Sequence, residues 1–459
     1  MAADTPEITI ADEDGTLAPE FIQAVGQAVA ASDKTQLDKL IAELHEADLA
    51  DLIELLAPGV RRDFIAMLGE DLNYSALSEL DETVRNNVLE VLPNEVVAEA
   101  VRELDSDDAV YLLEDLDEAE KSEILDHLPA ADRATLERSL EYPEDSAGRM
   151  MQVDFISVPG FWSVGQTIDF LRQSKDLPDS FQDMFAVDPA NHLLGKIGLD
   201  RILRTQRDIS IRDIMDAEPI TVAVDLDQEE VAHIFERYNL ISVAVTDEFK
   251  RLVGVVTIDD VVDVIHEEAS EDIHRLGGVG DESLANSVFS TVGGRITWLL
   301  VNLATAILAS MVIALFDATI EQLVALAVLM PIVASMGGNA GTQTMTVAVR
   351  SIATRDLVPV NAMRIITREV LVGLINGCIF AIIMGVVAYF WFGNLTLGLV
   401  IAAAMTVNMI VAGLSGIVIP ITLDRFEIDP AIASSVFVTT VTDVVGFFSF
   451  LGLAAWWLT

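Results

Sequence analysis

From Ile296 to its last residue this chain contains no lysine, and that gap constrains the fold more than any other feature. Only five of the 27 Lys and Arg residues lie there (Arg350, Arg355, Arg364, Arg368 and Arg425), with eight of the 73 acids. Between these charges stand five apolar stretches, each long enough to cross a bilayer core at about 20 residues per helix. Spans are expected over 297–316 and 322–349, then two within the uncharged stretch 370–423, split near WFGNLTLG, and a last one over about 431–458. The first 295 residues therefore carry nearly all of the net charge of −46. One half reads as an acidic soluble protein and the other as a membrane domain.

Five spans put the two chain ends on opposite sides of the bilayer. The basic residues sit in the loops between spans two and three and between spans four and five, and cytoplasmic loops collect such residues. The large acidic half is thus expected in the cytoplasm and the C-terminus outside, in a multi-pass protein of the cell (inner) membrane. The N-terminus, MAADTPEITIADEDGT, has neither a basic region nor an apolar core of a cleavable signal. So negative a domain makes nucleic acid an unsuitable partner, and divalent cations suitable ones. A salt-adapted solvated surface has the same composition, and composition does not separate the two.

Two features inside the spans carry chemistry. TTVTDVVGFF, residues 439–448, places Asp443 within the last apolar stretch, and a mid-span carboxylate marks an ion path more often than a packing role. As a packing residue, Asp443 would be hydrogen-bonded to Thr440 or Thr442. PIVASMGGNAGTQTMT, residues 331–346, concentrates small and polar residues after Pro331, and a helix presents Asn339 and Gln343 on one face. It reads either as helix-packing glue or as the lining of a pore.

The soluble half contains two internal repeats. LHEADLADLIELL (44–56) resembles LDSDDAVYLLEDL (104–116), with Asp48 in register with Asp108, which suggests a small helical solenoid. LLGKIGLDRIL (193–203) matches LVGVVTIDDVV (252–262), and each unit alternates β-branched strands with helices. The pair resembles tandem CBS domains, modules that often bind nucleotides or ions. The second copy carries Thr257 and Asp260 in the T-x-x-D arrangement used for a ribose or phosphate, whereas the first has Gly198 and Arg201 there.

After the modules, Asp259, Asp260, Asp263, Glu267, Glu268, Glu271 and Asp272 fall within 14 residues. On a helix, Asp260, Asp263, Glu267 and Glu271 form a stripe of one sign, which repels itself unless a cation neutralises it. Divalent ions prefer such oxygens. A solvated linker helix remains the alternative.

The order of these parts, with the phrases YPEDSAGRMM (142–151), EDIHRLG (271–277), GGNAGTQ (337–343) and TDVVGF (442–447), resembles the MgtE family of magnesium channels over nearly the whole chain. The resemblance implies a homodimer in the lipid bilayer, selective for Mg2+ and gated by cytosolic Mg2+. It implies an acidic tail over 1–19, a helical N domain over 20–145, tandem CBS domains over 146–268, a connecting (plug) helix over 269–294 and a five-helix pore domain over 295–459. Asp443 would be the pore carboxylate, with Asn339 and Thr439 near it. Asp107 or Asp108, Glu229, Asp259, Asp260, Asp263, Glu268, Glu271 and Asp272 would supply the Mg2+-sensing set. Thr257 and Asp260 make ATP a candidate modulator. The rivals are an ion-coupled divalent-cation exchanger and a membrane-anchored nucleotide sensor. The six His and single Cys form no metal-ligand spacing, and no nucleophile motif stands out, so an enzyme is not expected.

Overall fold

The computed structural model of the chain describes residues 9–12, 15–114, 116–175, 177–178, 180–280, 288–426 and 428–458. It forms two compact units, Met1–Glu268 and Ala269–Thr459.

The first unit begins with short helices running from Pro19–Ala30 to Ala130–Leu140. Several acids are used locally to start them. Asp33, Asp81 and Asp117 each accept a backbone N–H of the following turn, which satisfies donors that a helix N-terminus otherwise leaves open. The internal repeat reappears as packing. In the helix Glu46–Leu55, Leu49, Ala50, Leu52 and Ile53 are buried, and their counterparts Ala109, Val110, Leu112 and Leu113 are buried in the helix Ser106–Glu114. The expected tail needs correction in its second part. Leu17 and Ala18 are buried in the helical core, Ile10 packs against it, and Ala18 N–H bonds to Ile10 O at 2.9 Å. The apolar residues of this stretch have a core within reach, so it folds onto that core.

Two three-stranded sheets follow. β1 (Ser157–Pro159) pairs parallel with β2 (Asp183–Val187), which pairs antiparallel with β3 (Leu193–Gly198). β4 (Thr221–Ala223), β5 (Ser242–Thr246) and β6 (Leu252–Thr257) repeat this order. The two sheets share register and bulge: Asp183 faces Gly198 as Ser242 faces Thr257, and the ladder slips at Ala186/Val187 as at Val245/Thr246. The modules meet through Phe185, Ala244, Leu252 and Val255, and through Lys196, whose Nζ donates to Asp183 at 2.7 Å and to Ser242 O at 3.2 Å. A long helix, Ile258–Gly277, leaves β6 and ends where Gly278 adopts φ +68°, a backbone state that favours glycine.

In the second unit, five helices are long and apolar enough to span a membrane. They are Val288–Ala314, Ala325–Ala353, Ala362–Phe392, Leu395–Arg425 and Pro430–Leu458, here spans one to five. Spans three and four extend to 31 residues each, so Arg364, Arg368 and Glu369 lie within the third helix rather than in a loop before it. Of the connecting (plug) helix expected over 269–294, residues 281–287 lie outside the described residues. The rest corrects that expectation: residues 269–277 end the helix that begins at Ile258, and Val288 to Gly294 form the first turns of span one.

Span four forms the centre of this unit. In its most apolar window 56% of residues are buried, against 6% in span one. Spans three and four approach backbone to backbone. A methyl on Gly373 would lie 2.5 Å from Met409 O, and one on Gly413 would lie 2.7 Å from Glu369 O. Close approach through small residues replaces the hydrophobic drive that is missing between helices in lipid. The two helices are joined by Gly393 and Asn394. Gly393 takes φ +66° and its N–H bonds to Tyr389 O, while Asn394 Oδ1 accepts Leu397 N–H at 3.1 Å.

Candidate ion path and cation-sensing site

In the fifth span, the threonine hydroxyls around Asp443 are all turned to their own helix. Thr439 donates to Ser435 O at 2.9 Å, Thr440 to Val436 O at 2.6 Å and Thr442 to Thr439 O at 3.0 Å. Among the described residues no hydrogen bond or ion pair engages the Asp443 carboxylate, which is half-buried. The packing role, which requires a bond from Thr440 or Thr442, is therefore not the one the geometry displays.

The GGNAGTQ run in span two separates its two functions by face. Gly337 and Gly341 are buried, whereas Asn339 and Gln343 are exposed on the protomer. Gly341 lies against span five: a methyl there would meet Val438 Cγ1 at 2.5 Å and Thr442 Cγ2 at 3.5 Å. The glycine run of span two is thus packed against span five at Val438 and Thr442, the residue before Asp443. The buried face of the motif packs as the helix-packing reading expects.

Sequence reasoning passed over a cavity of about 260 Å3 among spans two, three and four. Gln343, Thr344, Arg368, Glu369 and Asn376 contribute its polar lining. Thr344 Oγ1 donates to Glu369 at 3.4 Å. The signal was present, since Glu369 directly precedes the uncharged stretch, but the residue read as part of a loop.

In the first unit, Asp107, Asp108 and Asp260 gather where the helical array meets the second CBS module. Asp260 accepts the Thr257 hydroxyl at 2.7 Å, and its carboxylate lies near that of Asp107. Asp107 Oδ1 is buried without a hydrogen-bond partner among the described residues. Burial, then the neighbouring Asp260 and Asp108 carboxylates, hold Asp107 well above the usual carboxylate range. Burial followed by Asp260 pushes Asp108 up to about 7. Burial pushes Asp260 up to about 6, against the hydrogen bond from Thr257 that lowers it. These shifts share one physical cause, since facing carboxylates in a poorly solvated seam favour the neutral form unless a cation joins them.

The remaining expected acids are dispersed. Asp263 and Asp259 are exposed on the long helix, and Glu79, missed in the sequence, has a raised pKa from burial and then from Asp263. Glu79 had no local signal, because its partner lies far along the chain. Glu267 accepts from Tyr111 at 3.3 Å, and Arg85 stacks 3.8 Å over the Tyr111 ring. Glu268 accepts from Gln228 at 3.0 Å, and Glu229 lies exposed in the first turn of the helix Gln228–Tyr238. Glu271 pairs with Arg275, which also pairs with Asp429, and Asp272 is half-buried on the same helix. Among the described residues no three acids or histidines converge as a chelating set. Acid faces acid in the Asp107, Asp108 and Asp260 group and where Glu79 lies near Asp263. For the nucleotide reading, Thr257 and Asp260 are already bonded to each other.

Five apolar helices, the last with a carboxylate at mid-span, joined to a CBS pair and an acidic helical array, define a multi-pass membrane transporter. Known families agree with that class. The family described as MgtE, divalent cation transporter, matches residues 330–453, the MgtE intracellular N domain matches 44–145, and the CBS domain matches 211–267. The chain is 33% identical over 320 residues to the magnesium transporter MgtE of Enterococcus faecalis, covering 70% of this chain and 71% of that protein. To the magnesium transporter MgtE of Thermus thermophilus it is 33% identical over 325 residues, covering 70% and 72%. To that of Bacillus subtilis it is 30% identical over 326 residues, covering 71% and 72%. The crystal structure of the cytosolic domain of the Mg2+ channel MgtE in complex with ATP covers 53% of this chain and 99% of its own, at 29% identity and a TM-score of 0.49. This chain belongs to the MgtE family.

Proposed function

We propose that this chain is a Mg2+-selective channel of the cell membrane, homodimeric, with its acidic half in the cytoplasm, and closed by cytosolic Mg2+. The observation that carries the reading is Asp443, a carboxylate in a membrane-spanning helix that no donor among the described residues engages. Such a group is costly in lipid unless it faces water or an ion. One carboxylate does not complete an octahedral Mg2+ shell, whereas two on a twofold axis hold a largely hydrated ion through its waters. Span one supports the dimer, because only 6% of its most apolar window is buried within the protomer.

Gating follows from the acids of the first unit. With little Mg2+, Asp107, Asp108 and Asp260 repel, and the helical array leaves the second module. With ample Mg2+, bridging through water neutralises them and holds the closed arrangement. Glu79 with Asp263, and Glu229 with Glu268, extend the same sensing set, and Asp259, Glu271 and Asp272 add to it along the long helix. A ligand shifts such an equilibrium only by its preference for one state, and several weak sites supply it together. ATP at Thr257 and Asp260 would act by competing for Asp260, which makes it a modulator of closure rather than a substrate.

Single-channel recording in planar bilayers with Mg2+ as the sole permeant cation tests this reading. Wild type should conduct, and Asp443→Ala should assemble but carry no Mg2+ current. Slow, saturable Mg2+ uptake in liposomes without resolvable currents would replace the channel with a carrier.

A further inference from the structure

Span four contains a polar residue that the ion path does not use directly. Asn408 is fully buried at the level where spans two, four and five meet. Its Nδ2 donates to Val333 O in span two at 2.9 Å, and its Oδ1 has no hydrogen-bond partner among the described residues. Two glycines make room for it. A methyl on Gly337 would lie 2.1 Å from Asn408 Nδ2 and 2.8 Å from its Cγ. A methyl on Gly446 would lie 2.8 Å from the same Nδ2 and 3.2 Å from Cγ.

These positions are informative because of their neighbours. Gly337 opens the GGNAGTQ run, two residues before Asn339. Gly446 lies three residues after Asp443, hence on an adjoining part of the same helix face. One amide is therefore seated in a notch of each helix that carries the ion path. Val333 O is the carbonyl that would receive Gly337 N–H in a regular helix, so the Asn408 bond is made at the point where the glycine run begins. A carbonyl has a second lone pair for this purpose. A residue needed only for packing would be apolar here, since an unpaired amide oxygen in lipid surroundings is unfavourable.

We infer that Asn408 is a positioning residue for the ion path, fixing the height and rotation of Asp443 relative to the amide face of span two. The inference rests on the reading of Asp443 as the ion site. Asn408 touches no ion itself. It acts by holding two helices in one register, so its loss should loosen discrimination between ions more than it lowers total flux.

The test measures Mg2+ and K+ fluxes in proteoliposomes containing the full chain. The variants are Asp443→Ala, Asn408→Ala, Gly337→Ala and the double variant Gly337→Ala with Asn408→Ala. Gly337→Ala alone should fail to assemble or to transport, because its methyl collides with the amide. The double variant should assemble, because the methyl takes the space that the amide leaves. Both Asn408→Ala and the double variant should retain flux with the Mg2+-to-K+ ratio lowered about tenfold, the worth of one amide hydrogen bond expressed as a ratio. If Asn408→Ala does not fold, the double variant gives the ratio. A wild-type ratio in the Asn408 variants, with discrimination lost in Asp443→Ala, overturns the role of Asn408 alone. Wild-type discrimination in Asp443→Ala overturns the ion-site reading, and this inference with it.

Discussion

The two units of this chain treat carboxylates in opposite ways. In the first, acids are numerous: several are consumed as helix caps, others pair with Lys or Arg, and Asp107, Asp108 and Asp260 gather together. In the second, polar groups are few, and the hydroxyls around Asp443 bond to their own helix, leaving one carboxylate disengaged. Redundancy suits a sensor, because many weak sites give a graded response. Singularity suits the proposed selectivity site, where a lone carboxylate from each chain would decide which ion passes.

That contrast breaks first if Asp443→Ala still conducts. Its Mg2+ current should vanish in bilayer recordings while size-exclusion chromatography shows an unchanged assembly. Next comes the packing that allows the membrane unit to bind its polar groups internally. Gly373→Ala places a methyl 2.5 Å from Met409 O and should cost about 1–3 kcal/mol, read as a lower melting temperature in detergent. Gly338→Ala, with open space around it, should leave the melting temperature within about 0.5 kcal/mol of wild type.

In the first unit, effects should be shifts rather than losses. Asp260→Asn should raise the Mg2+ concentration for half-closure about tenfold, within the usual range of coupling between sites. If Asp260→Asn together with Asp263→Asn and Glu271→Gln left Mg2+ inhibition of currents unchanged, the sensing role would be wrong. Protons should act in the same direction as Mg2+, more weakly. The pKa values of Asp108, about 7, and Asp260, about 6, are raised in the apposed state. Apposition is therefore fully favoured below the ordinary carboxylate range and lost as pH rises through about 6 to 7. In Mg2+-free solution, protease sensitivity between the helical array and the second module should increase from pH 5.5 to pH 8, and Asp108→Asn should flatten the upper part of that rise. The smallest effect belongs to Asp48→Asn. It stands in register with Asp108 but is exposed, and its closure curve should match wild type.

The difference between Asp48 and Asp108 also indicates what the sequence discloses. The repeat was legible, since the same apolar positions are buried in both copies, and so was the alternation of strands and helices in the two modules, though not their common bulge. Asp443 was legible because lipid tolerates few carboxylates. Burial of one repeat acid and not the other was not legible, because it depends on a neighbour, Asp260, that the array meets only in three dimensions. Glu79 opposite Asp263, and Asn408 between Gly337 and Gly446, were hidden for the same reason. Residues 288–294 misled in another way. They were expected in a separate connecting helix, yet the helix of span one extends back through them.

The turn between spans three and four has a consequence for how the protein is made. Two residues join two 31-residue helices whose backbones touch through glycine, with no charge from Val370 to Leu423. Nothing in that hairpin resists passage of its tip across the bilayer, and its partners are already adjacent in the chain. It is suited to enter the membrane as a finished pair during synthesis. Span four, the most enclosed helix, would then be in place before span five leaves the ribosome, a template already waiting for the helix that carries Asp443.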